Sequence, residues 1–76
     1  MVYLVSNVAI ELMLKKWKPY INKIVDCPEV ETHRVVILTY GYSLVWIDEP
    51  PRVRTWILKQ KSQELDSIQL SPLDLV

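Results

Sequence analysis

The chain has 76 residues and a mass of 9.0 kDa, so it is sized for one small domain with little room for a second core. Nine basic residues balance nine acidic ones, which removes the simplest argument for a nucleic-acid or anionic-membrane partner. Half the residues are apolar, there is one glycine and one cysteine, and together these exclude a disordered chain, a collagen-like repeat, an internal disulfide framework and a cysteine-rich zinc finger.

Taken in chain order, Val2 to Val5 mixes β-branched and aromatic residues and predicts a short strand. Ser6 or Asn7 then offers an N-cap. Val8, Ile10, Leu12, Met13, Leu14 and Trp17 follow at helical spacing. Pro19 disfavours helical geometry in Lys18, so the helix stops or kinks near Trp17, with a helical continuation expected over Tyr20 to Val25. No basic residue precedes the apolar part of the N-terminus, and Ser6, Asn7 and Glu11 interrupt it. It therefore reads neither as a secretory signal nor as a membrane span. With a lone Cys27, a cytoplasmic protein with no membrane partner is the expectation.

Cys27-Pro28-Glu29 marks a break. Beyond it, Arg34 to Tyr40 and Ser43 to Asp48 are strand-like runs around Gly41, and they predict an antiparallel β-hairpin. Asp48-Glu49-Pro50-Pro51 reads as the start of a second helix, carrying Val53, Trp56, Ile57 and Leu65 inward and Arg52, Arg54, Lys59 and Lys61 outward. Residues 71–76 form a tail behind Pro72. The expected fold is therefore a single α+β domain over residues 1–70, in the order (β)αββα, with a central hairpin flanked by helices.

The hairpin carries the main functional inference. Val35 and Ile37 line one face of its first strand, and Val36, Leu38 and Tyr40 line the other. Leu44 and Trp46 oppose Val45 and Ile47 in the second. Two short helices cover both apolar faces only thinly, so one face is expected to meet a second copy of the chain or another protein. The expected interface is Val36, Leu38, Tyr40, Leu44 and Trp46, with Trp46 as its anchor.

Other chemistry is sparse. Cys27 and His33 lie six residues apart near Asp26 and Glu31, but no further Cys or His completes a zinc set and no nucleophile signature surrounds the thiol. Asp26, Glu29, Glu31, Asp48 and Glu49 cluster toward the open end of the expected hairpin, where turns and helix starts favour acids in any case. One glycine cannot build a phosphate loop. The reading is of a non-enzymatic protein without metal or cofactor. It is expected to be a homodimer and adaptor that binds another protein.

The alternative is a dimeric nucleic-acid-binding regulator, in which Lys15, Lys16, Lys18, Arg52 and Arg54 form a basic stripe along the two helices. The end, Pro72-Leu-Asp-Leu-Val76, resembles the Pro-x-Asp-Leu-Ser peptides read by the carboxy-terminal-binding corepressors, with Val76 where Ser is expected. It is also similar to an acidic PDZ ligand ending in Val.

Overall fold

A computed structural model describes residues 2–49 and 53–70. The chain divides into two compact units, residues 1–40 and 41–76. Their described residues form six strands and one α-helix, so the fold is predominantly β and not a hairpin flanked by helices.

In the first unit, β1 (Val2–Ser6) leads directly into α1 (Asn7–Lys16). A single 3₁₀ turn (Lys18–Tyr20) follows, then β2 (Ile21–Asp26) and β3 (His33–Leu38). The strand order is β1-β3-β2, with β3 antiparallel to both neighbours. β1 and β2 therefore run parallel, joined through α1, with β3 inserted between them.

The sequence explains each boundary. Ser6 keeps an extended backbone and its Oγ accepts from the Ala9 N–H at 3.3 Å, capping α1 as expected. Trp17 closes the helix, donating its N–H to the Met13 carbonyl at 2.6 Å. Pro19 then sits inside the 3₁₀ turn, and the Tyr20 N–H bonds to the Trp17 carbonyl at 2.8 Å. The chain leaves this turn as a strand, so the expected helical continuation over Tyr20 to Val25 is corrected to β2. Ile21, Ile24 and Val25 are β-branched and fit a pleated ladder better than a helix. A one-residue register shift between Ile21 and Lys23 bulges Asn22 out of the β2–β3 ladder.

α1 packs against β1 and β3. Its buried residues are Ala9, Ile10 and Met13, with Trp17 just beyond, the i, i+3/i+4 stripe of a helix lying on a sheet. The fully buried strand residues Val5 and Val36 share one face of the sheet, together with Leu38.

In the second unit β4 (Tyr42–Glu49), β5 (Val53–Gln60) and β6 (Gln63–Leu70) form an antiparallel meander in the order β4-β5-β6. The second helix, expected to start at Asp48-Glu49-Pro50-Pro51 and to fade between Leu65 and Leu70, is replaced over the described residues 53–70 by two strands. Val53, Thr55, Trp56 and Ile57 are β-branched or aromatic, and the spacing of Val53, Trp56 and Ile57 satisfies a helix period and a two-faced strand equally well. The turn between β5 and β6 is Lys61-Ser62. Lys61 adopts φ 57 without glycine or asparagine to announce it.

The expected hairpin around Gly41 is also corrected. Gly41 does turn the chain, at φ +93. However, β3 pairs with β1 and β2, while β4 pairs with β5, so the two runs belong to different sheets.

Candidate functional site

Two features stand out, both in the first unit. One is the sheet face opposite α1. Cross-strand register places Val2 and Leu4 of β1, Val35 and Ile37 of β3 and Val25 of β2 together on it. Val2 is 66% exposed, Leu4 51% and Val25 38%, while Val35 and Ile37 are half-buried. A sheet with one solvated face normally alternates apolar and polar residues. Here the solvated face of all three strands is aliphatic, flanked by Lys23, Ser6 and His33.

The other feature is an open cleft of about 510 Å³ at the start of α1, lined by Asn7, Glu11, Asp26, Cys27, Pro28, Glu31, His33 and Arg34. Asn7 organises it. Its backbone N–H donates to the Thr32 carbonyl at 2.9 Å, its Nδ2 to the Glu31 carbonyl at 3.2 Å, and its Oδ1 accepts from Arg34 Nε at 3.0 Å. The first helical residue is thereby fastened to the turn that enters β3. That turn is closed by Val30 N–H to the Cys27 carbonyl at 3.1 Å and His33 N–H to the Val30 carbonyl at 3.2 Å.

Cys27 and His33 therefore do line one cleft with Asp26 and Glu31, but they are not joined as nucleophile and base. The Cys27 thiol donates to Glu29 Oε2 at 3.5 Å, and His33 Nδ1 lies 2.8 Å from the Thr32 hydroxyl. Among the described residues no three His, Cys, Asp or Glu side chains are grouped to hold a metal ion. Asp48 and Glu49, expected in the same acidic cluster, are the last residues of β4 in the second unit.

The expected interface residues divide between the two units. Val36 and Leu38 are buried on the α1 side of their sheet, Leu44 is buried, Tyr40 is fully exposed just after β3, and Trp46 is 36% exposed on β4. Trp46 meets Trp56 across the strand pair, edge to face, with ring centroids 4.5 Å apart. The Arg54 guanidinium lies 5.1 Å from the Trp46 ring centre, and its Nε is 3.6 Å from Asp48 Oδ1. Arg54 is thus on a strand and paired. Lys15, Lys16 and Lys18 stand at the C-terminal end of α1, where positive charge also suits the helix dipole. Arg52 and the 71–76 tail with its linear motifs lie outside the described residues. No stripe along two helices forms, because only one of the two expected helices exists among the described residues.

The residues missed by sequence reasoning are Val2, Leu4 and Val25 on the uncovered face, and Asn7, Glu11 and Arg34 in the cleft. Val35 and Ile37 were legible as one face of an apolar strand. Which face α1 would cover was not, because a strand apolar on both sides gives no preference. No family model, no curated protein and no solved structure matches this chain.

Proposed function

We propose that this protein is a non-enzymatic association module, a homodimer that presents a binding surface to another protein. The uncovered residues of the first sheet supply its self-contact. One observation carries the reading: β1, β2 and β3 are apolar on both faces, and α1 occupies one of them. Contiguous aliphatic surface on a sheet is a recurring mark of association, because each buried Å² of it contributes about 25 cal/mol once removed from water. A second copy brings the same residues to the same place, which is the economy of a two-fold interface.

In the cleft, Asn7 ties α1 to the 27–34 turn through Glu31 and Arg34, and the thiol and imidazole bond to neighbours other than each other. For nucleic-acid contact, the basic residues that the first unit groups are Lys15, Lys16 and Lys18 on one short stretch.

The test is the molar mass in solution of the wild-type chain and of Leu4→Lys. The wild-type chain is expected at twice its monomer mass at micromolar concentration, and Leu4→Lys is expected to raise the dissociation constant at least tenfold. Wild-type protein that stays at 9.0 kDa throughout would overturn the reading.

A further inference from the structure

The geometry points to a specific mode of association: two copies join edge to edge through β1, antiparallel, with Leu4 of one copy beside Leu4 of the other. This inference rests on the self-association proposed above and adds the surface and register.

The four sheet edges differ in how they are protected. A terminal strand leaves one side of its backbone without a strand neighbour, and proteins blunt such edges with bulges, charges or proline. β2, one edge of the first sheet, carries the Asn22 bulge together with Lys23 and Asp26. In the second unit β6 has a register shift between Leu58 and Lys59 of its partner strand, and it carries Glu64 and Asp66. β4 ends on Asp48 and Glu49, and the Arg54 guanidinium stands 5.1 Å from the ring centre of its most exposed large apolar side chain, Trp46. β1 has none of these protections. It reads Val-Tyr-Leu-Val-Ser, with no charge and no proline, and its register with β3 is unbroken over Val2 to Ser6. Its outward apolar side chains, Val2 at 66% and Leu4 at 51%, are more exposed than any on the other three edges.

The occupant follows from that sequence. Antiparallel pairing of β1 with itself keeps like faces together only when the two-fold axis passes through a residue position. Centring it on Leu4 pairs the whole strand: Val2 opposite Ser6, Tyr3 opposite Val5, Leu4 opposite Leu4. No charged side chain meets its own copy across that seam, which is the usual obstacle to self-pairing. The two three-stranded sheets become one of six strands. Val2 and Leu4 move from an edge to the centre of a continuous aliphatic face, with strand neighbours on both sides.

Cross-linking separates this arrangement from a face-to-face dimer. In a Cys27→Ser background, Leu4→Cys places two thiols on directly opposed residues of an antiparallel pair, about 4.5–5.5 Å apart at Cα. That separation is within disulfide range. Val35→Cys in the same background lies on β3, at the middle of the sheet; its thiols stand three strand spacings, about 14 Å, apart in an edge-to-edge dimer, but face one another across about 10 Å between stacked sheets, within reach of a short bismaleimide. Mild oxidation is expected to convert most Leu4→Cys protein to a covalent dimer of about twice the 9.0 kDa monomer mass, and the bismaleimide is expected to leave Val35→Cys unlinked. The paired substitution Val2→Lys with Leu4→Lys changes only exposed positions. It is expected to give a folded monomer with an unchanged circular dichroism spectrum.

If the wild type is dimeric but Val35→Cys cross-links and Leu4→Cys does not, edge pairing is overturned while self-association stands. A lysine-substituted protein that remains dimeric also overturns it. A wild type that is monomeric at every concentration tested removes both.

Discussion

The two units have the same architecture of three antiparallel strands, but they solve the problem of apolar surface differently. In the first, a ten-residue helix lies on one face, and the buried residues on the helix and the strands form a stripe against a plane: Ile10, Met13 and Trp17 with Val5 and Val36. In the second, no helix occurs among the described residues, and the ordering comes from ladders across the meander. Leu44 stands opposite Leu58, and Trp46 opposite Trp56, which stands opposite Ile68. The contrast teaches that a covering helix does not by itself close a sheet apolar on both sides. The unit that has the helix is also the one that presents Val2 and Leu4 to solvent.

Substitutions sharpen this contrast in descending order of effect. Trp17 is 1% exposed at the end of the helical stripe, so Trp17→Ala is expected to cost about 3–5 kcal/mol, read from urea denaturation followed by circular dichroism. Leu58, also 1% exposed, sits at the centre of the helix-free meander, and Leu58→Ala is expected to cost about 2–5 kcal/mol in the same assay. A loss under about 1 kcal/mol there would show that the meander's ladders, and not its side-chain burial, maintain it.

Capping comes next. Ser6→Ala removes the acceptor for the Ala9 N–H at the junction of β1 and α1, and about 1 kcal/mol is expected, visible as a lowered thermal midpoint. The smallest effect belongs to Arg54→Ala. It removes an exposed ion pair with Asp48 and the contact over Trp46, together worth about 1 kcal/mol or less, and high salt is expected to abolish most of the difference from wild type.

How far the sequence led depended on whether a local signal had one reading. The cap at Ser6 and the helical row to Trp17 each have one physical meaning, and β1, the cap and α1 appear where those residues put them, whereas Pro19 fits either a stop or a kink and the chain beyond it is β2. The strand runs on either side of Gly41 are also present as β3 and β4. What failed was partner choice. Gly41 specifies a turn at positive φ, but a turn does not say whether the flanking strands pair with each other or with strands further away. Here each found a partner in its own unit.

The stretch from Val53 to Leu65 failed for a different reason. Its apolar spacing fits two periods, Pro50-Pro51 precedes it as a helix start would be preceded, and the Lys61-Ser62 turn has no glycine. The candidate cleft was half legible: Cys27, His33, Asp26 and Glu31 are neighbours in sequence, whereas Asn7, Glu11 and Arg34 reach them only through the fold.

The central claim is that the first sheet's uncovered apolar surface is a contact between copies. Sedimentation equilibrium across the micromolar range tests it most directly, since it reports mass without regard to shape. The account predicts a species of about 18 kDa, twice the 9.0 kDa chain, that persists in high salt because the contact is apolar. A single species of 9.0 kDa at every concentration would contradict it.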